Sequence, residues 1–326
     1  MTVPSAISRR HLLASLGAIA LAASGSVHAQ GWPNKPIKII VPFAAGVSPD
    51  VVTRMISDSL GRALGQPVIV DNRAGAAGII GAEAAARSLP DGYTLFMTVN
   101  SIMGINPVVY AKLPYDPTKD FVPVTQVARV PYVLVTGPKQ PWGSLKDLLA
   151  AARTKPGSID YASLGVGSGP HLVMEMMNNM AGVRMTHIPY KASAIPDVMA
   201  GQVPMVFDPT TTALPLVKSG KLKALAVTSQ KRIAALPDVP TVAELLPGYD
   251  GDGWQGFYVP AGTPRDIVAR YNTEIVKILR TPELQKKLLD LGLEPVGNSV
   301  EEFTAISRNE FVKWRKIAKA NNIHVD

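Results

Sequence analysis

The chain has 326 residues, 47% of them hydrophobic and 18% charged, with 33 basic against 25 acidic side chains and no cysteine. A chain this long can bury its core without disulfides, and the lack of cysteine excludes thiol catalysis, cysteine-ligated zinc and iron–sulfur chemistry. The basic residues are scattered at helical spacing among apolar ones, so they read as solvated helix faces and not as a nucleic-acid footprint.

Residues 1–29 are expected to form a secretory signal peptide. Arg9 and Arg10 make a basic start, residues 12–23 are apolar but too short to span a membrane, and Val27 and Ala29 are the small residues before a cleavage site at Gln30. Ser8-Arg9-Arg10-His11-Leu12-Leu13 also has the form of a twin-arginine signal, with an ordinary Sec leader as the alternative. The leader takes two arginines and no acid with it, leaving a net charge of +6 that favours encounter with anionic solutes. No later segment has the ~18 uninterrupted apolar residues of a span, so the remainder is expected to be a soluble, exported protein of two domains.

Residues 37–43 read as a buried strand and 51–64 as a helix with apolar residues at i, i+4 and i+8. Strand 68–70, helix 77–87 and strand 94–99 follow, an alternation that argues for a parallel sheet with right-handed crossovers. Residues 121–136 differ: the run is β-rich, interrupted by Pro123 and Pro131, and long enough to leave one sheet and enter another. The alternation resumes with helix 145–153, strand 160–163, helix 171–180, strand 185–189, helix 195–200 and strand 204–207, and 222–228 is a second candidate crossing strand. After the Pro- and Gly-rich segment 236–253 come strand 255–259 and helices near 265–279, 282–291 and 300–320. Crossings out and back imply an α/β fold with a discontinuous first lobe (30–127 and 229–326) and an inserted second lobe (128–228), hinged where the strands cross.

Three strand-to-helix junctions carry the chemistry: Phe43-Ala44-Ala45-Gly46-Val47-Ser48-Pro49-Asp50, Gly165-Val166-Gly167-Ser168-Gly169-Pro170-His171 and Phe207-Asp208-Pro209-Thr210. Each sets a Ser, Gly or Asp before a proline, which suits the first helical turn, and the Ser or Asp is expected to cap it. The remaining first-turn N–H groups, with the positive end of the helix dipole behind them, make an anion site without a formal charge. Neither of the two longer loops contains Lys or Arg, so a carboxylate would be held there by neutral backbone donors, hydroxyls and water. Any one junction is equally an ordinary capped helix start; two of them on opposite lobes of a hinged chain favour a ligand site.

Trp32-Pro33-Asn34-Lys35-Pro36-Ile37 leading into Val41-Pro42-Phe43-Ala44-Ala45-Gly46, with Asp50 beyond, resembles the Bug family of substrate receptors related to the tripartite tricarboxylate transporters. The resemblance continues through Asn72-Arg73-Ala74-Gly75, Pro90-Asp91-Gly92-Tyr93, Leu113-Pro114-Tyr115-Asp116-Pro117, His187-Ile188-Pro189-Tyr190-Lys191 and Pro237-Asp238-Val239-Pro240-Thr241, covering essentially the whole mature chain. It implies a two-lobed periplasmic-binding-protein clamshell with two crossing hinge strands, closing on a small carboxylic acid through two pincer loops. Carried over, the first pincer is Phe43, Ala44, Ala45, Gly46 and Ser48 with Asp50 bracing it. The second is Gly167, Ser168, Gly169 and His171, and Asn100, Ala192 and Asp208 line the cleft. The implied protein is a monomeric receptor, not an enzyme, needing no cofactor or metal. Its partners are the solute and either the membrane permease subunits of a secondary transporter or, as the alternative, a periplasmic sensor protein. Val47 departs from the family's usual second glycine, and valine disfavours positive φ and adds bulk, so either the loop or the pocket is expected to differ here.

Other motifs carry less. His171 either donates to a ligand carboxylate or braces its own loop, and His187 is expected to be structural. Gly75-Ala76-Ala77-Gly78-Ile79-Ile80-Gly81 has the wrong spacing for a dinucleotide fingerprint. Ser168 and His171 form the one nucleophile–base pair worth considering, as a minor hydrolase alternative, but no acid is evident to orient the histidine. Trp142, Trp254 and Trp314 are expected to pack, with Phe43 and more weakly Trp254 as cleft-wall candidates.

Overall fold

The first sheet begins from β1 (Ile37–Val41), which leads into α1 (Ser48–Leu64), β2 (Val68–Asn72), α2 (Ile79–Ala86) and β3 (Thr94–Val99). This is a computed structural model describing residues 31–325, and the expected leader lies outside the described residues. β1 and β3 are apolar runs buried on both faces, whereas β2 is only half-buried at the sheet edge. α1 buries Val52, Ile56, Leu60 and Leu64, a stripe at i, i+4 spacing facing the sheet, and it stops at Gly65 in the left-handed region (φ 70°). Truncating Ile56 to alanine would cost about 2–5 kcal/mol through lost transfer energy and the cavity left behind.

After β3 a π turn (Ser101–Ile105) and α3 (Asn106–Val109) lead to β4 (Phe121–Val130) and β5 (Tyr132–Thr136). Only Pro131 separates these two strands, yet β4 belongs to the first sheet and β5 to the second. Proline has no N–H to continue a ladder, and here it marks the switch between sheets. The second sheet is completed through α4 (Leu145–Thr154), β6 (Asp160–Ser163), α5 (Gly169–Ala181), β7 (Thr186–Pro189), α6 (Ile195–Ala200), β8 (Met205–Pro209), α7 (Thr210–Lys218) and β9 (Lys223–Val227). α8 (Val242–Leu245), β10 (Gly253–Pro260), α9 (Arg265–Leu279), α10 (Pro282–Asp290), β11 (Glu294–Pro295) and α11 (Val300–Ala320) finish the chain.

The sheet orders are β11-β4-β10-β3-β1-β2 and β7-β6-β8-β5-β9. Two features differ from the sequence expectation. The first sheet is mixed: β1 is parallel to β2 and β3, but β10 is antiparallel to both β3 and β4. β10 returns from the other sheet instead of following a crossover helix, so nothing holds it to the parallel direction. The return crossing is also not made by residues 222–228. β9 pairs only with β5 and stays in the second sheet, and the connector 228–252 carries the chain back to β10.

A short latch ties the two crossings together. The Tyr132 N–H donates to Thr228 Oγ1 (2.8 Å), which in turn donates to Oδ1 of the buried Asp252 (2.7 Å). α11 then spans both halves. Its Phe303 packs with Phe96, Trp254 and Tyr258 of the first sheet, and its Trp314 and Ala318 pack with Tyr132, Leu134 and Phe207 of the second. Among the described residues no helix is long and apolar enough to cross a membrane.

Candidate ligand-binding site

The loop after β1 turns on Gly46, whose φ of +86° only glycine adopts cheaply. Its N–H donates to the Asp50 carboxylate (2.8 Å), as do Asn72 Nδ2 (2.8 Å) and Arg54 Nε (3.0 Å). Asn72 Nδ2 also reaches the Phe43 carbonyl at 3.0 Å, tying the loop to the edge strand. Burial by itself would raise the Asp50 pKa, but the hydrogen bonds from Arg54, Gly46 and Asn72 outweigh it and hold the carboxylate below its ordinary range. Asp50 therefore braces the loop and stands outside the cavity lining. Val47 takes an ordinary extended conformation (φ −83°, ψ 163°), so one glycine suffices for the turn and Val47 alters the pocket wall rather than the loop path.

The opposing loop is built on two positive-φ glycines, Gly165 (φ 106°) and Gly167 (φ 77°). His171 Nδ1 accepts the Gly167 N–H (3.1 Å), which fixes its proton on Nε2. Its ring stacks on His187 with centroids 3.8 Å apart, and His187 Nε2 lies 2.6 Å from Ser163 Oγ. Burial, with the neighbouring His187 adding to it, lowers the His171 pKa to about 3, and burial lowers His187 to about 4. Both rings are neutral, and His171 is a loop brace. Ser168 Oγ donates to the Gly165 carbonyl (2.7 Å), so Ser168 and His171 are engaged with different partners.

Between these loops lies a cavity of about 440 Å³, a volume suited to a small solute. Of the residues expected at the site, Phe43, Ser48, Asn100, Gly167, Ser168 and Gly169 line it. Ala44, Ala45 and Gly46 are exposed on the first loop, and Ala192 is exposed; none of the four is among the cavity-lining residues. Asp208 is buried under the start of α7, accepting from Thr212 Oγ1, and burial raises its pKa to about 6 despite that bond; Pro209, Thr211 and Thr212 form the wall there. No lining residue among those described carries a formal charge.

Three helices begin at this wall, and in none does a side chain cap the first turn, contrary to the expectation for Ser and Asp. Those groups are diverted: Ser48 Oγ accepts from Gln255 Nε2 (2.8 Å), Ser168 bonds Gly165, and Asp208 bonds Thr212. The Thr210 N–H of α7 donates to the Pro131 carbonyl (3.0 Å), whereas the first-turn N–H groups of α1 and α5 stay available to a ligand. Asn100, only 3% exposed, lines the same cavity with its Nδ2 lacking a protein partner, and the indole N–H of Trp254 is likewise unpaired. A buried donor without a partner costs about 1–3 kcal/mol, which a bound acceptor would recover.

Sequence reasoning missed Tyr132, Gln255, Tyr110, Leu164 and Val166 on this wall and Asn72 behind it. Tyr132 sits just past the crossing proline, with its hydroxyl so close to Gly169 that a Cβ there would lie 2.5 Å away. Burial raises its pKa, so it remains a protonated donor. Pro131 was the available signal, since the residue after a sheet switch stands between both lobes.

Residues 52–323 match the family described as tripartite tricarboxylate transporter family receptor. The chain belongs to that family. Protein BugT of Bordetella pertussis is 36% identical to this receptor over 315 residues, 94% of this chain and 96% of BugT. The solved structure of R. palustris Rpa4515 with adipate is 36% identical, with a TM-score of 0.80 over 90% of this receptor and 99% of that chain. MatC from Rhodopseudomonas palustris with bound malate is 29% identical, with a TM-score of 0.76 over 88% and 99% of the respective chains. The two-lobed binding-protein fold and the Bug-type resemblance both stand on these matches.

Proposed function

We propose that this receptor works in the periplasm, capturing a small carboxylic acid between its lobes and presenting the closed, loaded form to the membrane subunits of a tripartite tricarboxylate-type transporter. The observation that carries the reading is the uncharged cavity at whose wall α1 and α5 begin without side-chain caps, one from each lobe, with the Asn100 amide unpartnered. Such a wall suits an anion that must be held firmly and then released, because neutral donors bind without fixed countercharge. The relatives solved with adipate and with malate support the same ligand class. Residues 44–46, exposed on the first loop, would close over the acid as the lobes approach about the Pro131 and 228–252 crossings.

A thermal-shift screen of mono-, di- and tricarboxylates on the mature protein tests this. A true ligand at about a hundred times its Kd stabilises by roughly 2.7 kcal/mol. A transition moved only by neutral sugars or cations would overturn the carboxylate reading.

A further inference from the structure

The cavity wall also bears on the kind of acid. Val47 on the first loop and Leu164 and Val166 on the second stay 42%, 47% and 45% exposed, and all three line the cavity. They are carried by the two loops that face one another across it, loops that begin on different sheets. Exposed apolar side chains scattered singly need no explanation, but three converging on one cleft mark a surface that a ligand covers. Phe43, Val99 and Trp254 extend the same hydrocarbon surface inward. The donors without a protein partner adjoin this surface: Asn100 Nδ2 and the first turns of α1 and α5, whose N-caps are Val47 and Ser168. Two of the wall's hydroxyls are already committed, Ser168 to Gly165 and Thr212 to Asp208, while the Tyr132 hydroxyl remains a donor.

We propose that this receptor selects acids with a continuous hydrocarbon body, an aromatic ring or an aliphatic chain, over short hydroxylated di- and tricarboxylates. The inference rests on the reading that the cavity takes a carboxylate. The carboxylate is held by the helix starts and Asn100, and the body lies against Val47, Leu164 and Val166. A hydroxyl or extra carboxylate turned toward those side chains gives up water and receives no partner, which lowers affinity steeply. Val47 and Val166 are therefore specificity-determining residues, one from each lobe, and their burial is completed only when the lobes close on a ligand.

Isothermal titration of the mature receptor with benzoate, hexanoate and adipate, beside malate, tartrate and citrate, tests the proposal. The hydrocarbon-bodied acids are expected to bind about a hundredfold more tightly than the hydroxylated ones. Val47→Ser and Val166→Ser, at exposed positions that leave the core intact, are each expected to weaken the hydrocarbon acids roughly tenfold, with the hydroxylated acids unmoved. Tighter binding of malate, tartrate or citrate, or wild-type affinity for the hydrocarbon acids in both variants, overturns the selectivity while leaving the carboxylate receptor in place. If no acid of either kind binds, the receptor reading falls with it.

Discussion

Replacing Asp50 by asparagine tests whether the first loop is held by one buried carboxylate. Asp50 is 1% exposed and accepts from Gly46 N–H, Asn72 Nδ2 and Arg54 Nε. Asparagine keeps one acceptor oxygen and turns an NH₂ toward donors, so one charge-assisted bond is lost and a donor–donor clash replaces it. A hydrogen bond to a charged group contributes about 1.5–3 kcal/mol, while the half-exposed Arg54 adds at most about 1 kcal/mol as a surface pair. Asp50→Asn should therefore cost about 2–4 kcal/mol in urea unfolding at pH 7. The depressed pKa sets the pH dependence: the Asp50 contribution is present above about pH 3.8 and is lost as pH falls through its lower folded value, so the variant gap should narrow only in strong acid. Ligand affinity should fall as well, because Phe43 and Ser48 hang from this loop. Wild-type stability together with wild-type affinity in Asp50→Asn would refute the bracing role.

Three further predictions use other parts of the molecule. Burial lifts the Asp252 pKa to about 7, so its protonated form is the favoured one and the stability it contributes below pH 3.8 is lost as pH rises through 7. Asp252→Asn should unfold like wild type at pH 4 and be about 2–4 kcal/mol more stable at pH 8, and equal curves at both pH values would contradict this. Gly169→Ala drives a methyl into the Tyr132 hydroxyl and should cost about 1–3 kcal/mol, part of which Tyr132→Phe restores; a strictly additive double-mutant cycle would show that the loop does not rest on that hydroxyl. Gly46→Ala meets no atom within 4 Å but must hold φ +86°, so calorimetry should find about 1–2 kcal/mol of pure backbone strain, whereas Val47→Gly, at φ −83°, should cost no more than about 1 kcal/mol through unfolded-chain entropy.

Sequence by itself determined what is local. The stripe Val52, Ile56, Leu60 and Leu64 sets α1, the bounds Thr94–Val99 and Val300–Ala320 coincide with β3 and α11, and the proline-interrupted run 121–136 is where one sheet gives way to the other, at Pro131 and not at the expected boundary of 127 and 128. Short-range periodicity and proline chemistry are properties of neighbouring residues, so they are legible without a fold. The lack of Lys and Arg in both pincer loops was legible for the same reason. Tertiary structure alone decided which donors those loops keep for a ligand. Ser48 reads as a cap until Gln255, 207 residues away, takes its hydroxyl. His171 reads equally as a ligand donor or a loop brace until the Gly167 N–H bonded to its Nδ1 decides for the brace. The antiparallel β10, the Tyr132 hydroxyl beside Gly169 and the reach of α11 across both halves have the same origin: each depends on residues brought together by chain return, and no local pattern encodes the partner.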